Sequence, residues 1–155
     1  MYQIKRKSLR EPASFDDYWM GMAFWVGANS RSPHHNGAVV VSAAGQLLAS
    51  GFDSPPKATP DGEFFRSAEK IAISDTAGKV LTGAAIFLTF TPSSEGFLDI
   101  LAADIRRLVY FPSGPLDPAC HEIMQQGYVQ LVEYKGNLNW MRDHISVLKA
   151  AGVFS

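Results

Sequence analysis

Apolar residues along the chain switch between helical spacing and short continuous runs, and the switches mark its elements. In "SFDDYWMGMAFWVGANS", Phe15, Trp19, Met22, Ala23 and Val26 share one helical face. Ser14 or Asp16 can cap this helix, which is predicted to run to about Ala28. Its other face, Met20 and Trp25, is apolar too, which points to burial on two sides or to an interface. "RSPHHN" breaks the pattern. "GAVVVSAAGQLLASGF" then reads as a hairpin, residues 38–42 with 46–51, around a small turn at 43–46. A Pro-rich loop follows over 53–62. Residues 63–76 predict a helix with Phe64, Ala68, Ile71 and Ala72 on one face and Gly78 where it stops. "AAIFLTF", 84–90, is a strand apolar on both faces. "SEGFLDILAADI" reads as a short helix and "RRLVYF", 106–111, as another buried strand. "DPACHEIMQQG" is a helix capped by Asp117, with Pro118 in its first turn and Gly127 at its end. "YVQLVEY" alternates as a strand, and 137–152 closes the chain as an amphipathic helix.

The order is therefore α β β α β α β α β α. Strands separated by single helices argue for parallel pairing, and the leading hairpin makes the sheet mixed. The expected fold is a three-layer α/β/α arrangement around a five-stranded mixed sheet. Residues 1–13 read as a basic N-terminal segment, and 14–155 as one domain that includes the C-terminal helix. There is no internal repeat or low-complexity tract.

With 155 residues, 46% of them apolar, the chain can bury a sizeable core. Lys plus Arg is 14 against 15 for Asp plus Glu, so no global field recruits nucleic acid, and none is expected as a partner. The local exception, "KRKSLR" at 5–10, reads as solvated. Cys120 is the single cysteine, which agrees with a reducing, cytoplasmic setting and rules out a site built from two cysteines of one chain. No apolar region follows the N-terminal charges, so no signal peptide is expected. No run approaches the roughly 20 apolar residues of a membrane span.

This element order resembles the zinc-dependent cytidine and deoxycytidylate deaminase family in particular words. These are the opening helix "SFDDYWMGMAFWVGANSRS", the first strand "NGAVVV", "GFDSPP" after the second strand, "SAE" opening a helix, "LTGAAIFLTFTPS" and "ADIRRLVYF". The resemblance covers roughly residues 14–134. It implies the signature H-x-E followed by P-C-x-x-C, whose His and two Cys hold zinc from the starts of two helices. Zinc makes a hydroxide from its bound water, and the Glu, which is not a ligand, carries the proton.

Carried over residue by residue, the proton-carrier position is Glu69 and the Pro is Pro92, both kept. The three ligand positions hold Ser67, Ser93 and Gly96. A serine hydroxyl is a poor zinc donor and glycine has no side chain, so zinc is expected to be absent. Glu69 alone could serve as a general base, worth about 10²–10⁴-fold, against the roughly 10⁶–10¹⁷-fold of enzymes overall. The pocket implied by the resemblance would involve His35, Asn36, Phe52, Asp53, Ala68, Pro92 and Ser94. The family usually carries Asn near the end of the second strand. Asp53 in that place would repel a phosphate, although it could accept a hydrogen bond from a sugar hydroxyl.

Plainer roles compete at each position. Glu69 could simply face the positive end of a helix, and Ser67 and Ser93 could be helix caps. His34 and His35 read as an exposed turn; a metal cluster of Glu69 with His35 is the sharper alternative. Cys120 reads as a small buried residue, and adjacent His121 points about 100° away from it on a helix. Trp19, Phe24 and Trp25 read as core. The resulting functional expectation is a catalytically inactive deaminase-like protein that acts through a protein partner or an oligomer. The alternatives are a module that binds a pyrimidine nucleotide in the vacated pocket, and a deaminase or hydrolase with an unusual site.

Overall fold

A computed structural model describes residues 14–32, 34–54, 66–126 and 129–141. The basic stretch at 5–10, the loop at 55–62, the start proposed for the second helix at 63 and most of the C-terminal helix lie outside the described residues. So does the helix stop at Gly127.

The first helix, α1 (Phe15–Gly27), begins where Ser14 Oγ accepts a hydrogen bond from the Asp17 amide at 3.1 Å. The hairpin follows as β1 (Gly37–Val41) and β2 (Leu47–Phe52), turning through Gly45 at φ +82°. Next come α2 (Ala68–Ser74), β3 (Ala85–Leu88), α3 (Ser94–Ala102), β4 (Arg107–Tyr110), α4 (Pro118–Gln126) and β5 (Gln130–Glu133). Residues 139–141 are helical, and Met141 is buried.

The five strands form one mixed sheet in the order β2-β1-β3-β4-β5. β1 is antiparallel to both β2 and β3, while β3, β4 and β5 run parallel. Successive side chains of a strand point to opposite faces, and both faces are covered. Val39, Val41, Ala85, Phe87 and Val109 pack with α1 residues Trp19, Met20 and Ala23. Ala38, Val40, Ile86, Leu88 and Leu108 pack with Ala68 and Ala72 of α2, Phe97 and Ile100 of α3 and Cys120 of α4. This is the expected three-layer architecture.

The second helix departs from its expected start. It begins at Ala68, not at 63, because Arg66 is extended and exchanges backbone hydrogen bonds with Ser54 at 3.1 and 2.6 Å. It ends at Ser74, and the chain turns away through Gly78 at φ +79°. α1 is tied down at its first turn. Asp16 takes both nitrogens of the Arg107 fork, at 2.9 and 2.7 Å. Buried Asp17 accepts from Tyr134 Oη and from the Asn137 amide.

Candidate functional site

Two crossovers bring the starts of α2 and α3 together on one face of the sheet. Ser67 holds the N-cap position of α2 with extended backbone, but its side chain makes no capping bond. Ser93 holds the same position on α3, and its Oγ accepts from the Gly96 amide at 3.1 Å. The capping role expected of both serines is thus filled by Ser93 alone.

Glu69 lies in the first turn of α2 and is 5% exposed, so it is not a solvated helix residue. Its carboxyl points at α3. A Cβ added at Gly96 would stand 2.7 Å from Glu69 Oε1 and 3.3 Å from Ser93 Oγ. The carboxyl therefore lies against the space that any side chain at position 96 would enter. Burial pushes the Glu69 acid above its usual range, and nearby Asp53 adds to the rise. Its own amide and the Ser67 hydroxyl counter in part. Ser67 Oγ stands beside the carboxyl and acts on it as a hydrogen-bond partner, although the two do not meet in a well-formed bond.

Asp53 follows β2 and is also buried. Its Oδ1 accepts from the Ala68 amide at 2.9 Å, and the Asn36 side chain bonds to its carboxyl. Burial raises its pKa, while the Ala68 amide, Asn36 and the nearby His34 oppose the rise. Of the expected pocket residues, Asn36, Asp53 and Ala68 form one hydrogen-bonded chain leading to Glu69. Pro92 is buried just before Ser93, and Ser94 opens α3 half-buried. Phe52 is half-buried at the end of the hairpin, opposite Gly37. His34 and His35 are exposed, as a turn would have them, and His35 takes φ 47°. Cys120 is buried and His121 is exposed.

Several supporting groups carry no signal in the sequence beyond being small and polar. Ser30, buried, donates to the Asp53 carbonyl at 2.6 Å and accepts from the Ser32 amide. Thr89 Oγ1 accepts from the Gly37 amide at 2.9 Å. On the outer side, Lys70 Nζ reaches Glu95 Oε1 at 2.8 Å and clamps α2 to α3. The same cation also acts electrostatically on Glu69 and lowers its pKa in part.

The carried-over ligand positions thus offer the hydroxyls of Ser67 and Ser93 and no side chain at Gly96, with the Glu69 carboxyl beside them. Among the described residues, no group of three or more His, Cys, Asp or Glu stands close enough to hold a metal ion.

The architecture is that of the cytidine deaminase-like α/β proteins. Solved structures with this arrangement include the dCMP deaminase of cyanophage S-TIM5 without ligand. It has TM-score 0.67 and 21% identity over 81% of this chain and 100% of that one. Another is a structure from a study of tRNA:A34 deaminases, with TM-score 0.58 and 21% identity over 78% of this chain and 100% of that one. A third is the Thermotoga maritima diaminohydroxyphosphoribosylaminopyrimidine deaminase/reductase, with TM-score 0.56 and 22% identity over 87% of this chain and 38% of that one. At these identities the likeness establishes the fold. No protein-family model and no curated protein matches the sequence.

Proposed function

We propose that this is a deaminase-fold protein without zinc-dependent deaminase activity, which acts through a protein partner or its own oligomer. The observation that carries this reading is the donor set at the converging helix starts. Zinc sites are built from imidazole nitrogen, thiolate and carboxylate. Here the three carried-over ligand positions offer two hydroxyls and no side chain, and the Ser93 hydroxyl is already engaged by the Gly96 amide. These residues do not fit zinc. Without a metal-activated water, Glu69 is the one retained catalytic group.

Action by assembly has support on the surface. Phe15 and Tyr18, three residues apart on α1 and both in ring contact with Trp19, are 50% and 41% exposed, so apolar surface is available for a contact. The dCMP deaminase of cyanophage S-TIM5 has been solved with dCMP and dUMP, which makes dCMP, beside cytidine, the substrate to try.

The test is elemental analysis of the purified protein, deamination assays with cytidine and dCMP on the same sample, and its mass by light scattering. Absence of zinc and turnover, with a mass above the 16.9 kDa of one chain or a stable co-purifying partner, supports the reading. Stoichiometric zinc with turnover overturns it.

A further inference from the structure

After β5 the chain returns to α1 and touches it at successive turns. In the first turn of α1, Asp17 Oδ1 accepts from the Asn137 amide at 3.1 Å. Asn137 Oδ1 in turn takes the Asn139 amide at 2.8 Å, where the helical residues 139–141 begin. One turn further along α1, a Cβ added at Gly21 would stand 2.5 Å from Trp140 Cζ2 and 2.8 Å from Met141 Sδ. The Trp140 ring also stacks on Tyr18, with centroids 6.3 Å apart and planes 7° apart. The contacts advance from Asp17 to Gly21 as the second segment advances from Asn137 to Met141. The two segments therefore run parallel, and a residue without a side chain lets them meet closely.

Residues three and four apart share a helix face. On α1 the face of Tyr18 and Gly21 recurs at Met22 and Trp25, both half-buried. Trp140 and Met141 flank Gly21, so the direction between them faces α1. At about 100° per residue that direction recurs at His144, Leu148 and Ala151. Leu138, which packs in the core cluster beneath α1, leads through buried Met141 to Ile145 on the neighbouring, sheet-facing line.

We propose that the chain beyond Met141 keeps this path and lies along the later turns of α1, with His144 and Leu148 against Trp25. The occupant of this α1 face is then the chain's own C-terminal segment. This bounds the surface available for assembly: the exposed rings of Phe15 and Tyr18 at the start of α1 stay open, and the turns after Gly21 are taken. The inference does not depend on whether the centre around Glu69 is free of metal, so it and the proposed function can fail separately.

The experiment keeps the full chain. Leu148→Asp is compared with Ser146→Asp, which lies on the opposite side of the same segment. Thermal unfolding and the indole N–H resonances of Trp19, Trp25 and Trp140 are read. Leu148→Asp should move the Trp25 resonance and lower the melting temperature by several degrees; Ser146→Asp should do neither. A second measurement joins Trp25→Cys to His144→Cys with a short bismaleimide. The single variants control for Cys120, which is buried, and circular dichroism checks that each variant folds. A link within one chain supports the proposal. A covalent dimer would place the segment of a second copy on α1 and overturn it. No link in the folded double variant, or equal responses to the two Asp substitutions, overturns it as well. None of these outcomes alters the zinc content and turnover by which the proposed function is judged.

Discussion

Gly96→Ala tests directly whether the Glu69 carboxyl occupies the space beside α3. The new methyl group would stand 2.7 Å from Glu69 Oε1 and 3.3 Å from Ser93 Oγ, whereas unstrained contacts to carbon lie near 3.5 Å. Oε1 is the end of a rotatable side chain, so the carboxyl can swing, but it must leave a buried position. Adding a methyl to a filled site costs about 1–3 kcal/mol. Against this, Ala is favoured over Gly in a helix by about 1 kcal/mol. The variant should therefore lose about 1 kcal/mol net. In a Glu69→Ala background the nearer obstacle is gone and only Ser93 Oγ, at 3.3 Å, must give slightly, so the same substitution should gain up to about 1 kcal/mol from helix preference. The coupling between the two positions is then up to about 2 kcal/mol, within the range seen for residues in contact. Urea unfolding of the wild type, both single variants and the double variant measures it, provided the slope m is unchanged. Gly96→Ala having the same sign and size in both backgrounds would show that the carboxyl does not face position 96, and the site geometry argued above would fail.

Three further expectations are independent of that cycle. Burial holds the Glu69 and Asp53 acids above their ordinary values of 4.5 and 3.8, so the folded state keeps these protons more tightly than the unfolded chain. Their contribution to stability is complete below those ordinary values and is lost as pH rises through the folded ones. Thermal unfolding from about pH 4 to about pH 8 should show this decline, and Glu69→Gln should flatten it; parallel curves for the two proteins would refute it. Tyr134→Phe removes the hydroxyl that donates to buried Asp17, leaving that oxygen the Asn137 amide. It should lower stability by about 1–3 kcal/mol in urea unfolding, and a change near zero would show the bond to be dispensable. Installing Ser67→His, Ser93→Cys and Gly96→Cys together should create a site that takes up stoichiometric zinc. Elemental analysis, and the thiolate-to-cobalt absorption of the cobalt-substituted protein, would show it. Failure in a folded variant would mean that the helix starts are not spaced as the carried-over motif requires.

The layers and the strands were legible because their signal is local. β-branched and apolar runs such as "AVVV" and "AIFL" need only the sheet's pleat to become buried strands, and every strand falls within about two residues of its expected bounds. What one strand's residues face was not legible. Val39 and Val40 look alike in sequence, yet Val39 packs toward α1 and Val40 toward α2 and α3. The start of α2 was missed for a related reason. The residues before it suit a helix, but a long-range backbone pairing between Ser54 and Arg66 takes Arg66 into extended structure, and tertiary contacts override propensity.

The site divides along the same line. The resemblance put Ser67, Glu69, Pro92, Ser93 and Gly96 in correspondence with a zinc-site motif, because a motif is itself a local pattern. Spacing could not say that Glu69 would be buried against Gly96, since that depends on two helices meeting across the sheet. Nor could it say that Asp53, which looked free to meet a sugar or repel a phosphate, would be committed to Ala68 and Asn36. The chemistry turns on these non-local facts. A glycine in place of a ligand removes a donor in any fold. Here it also leaves room for the neighbouring acid, and the serine before it satisfies the amide that the helix start would otherwise expose.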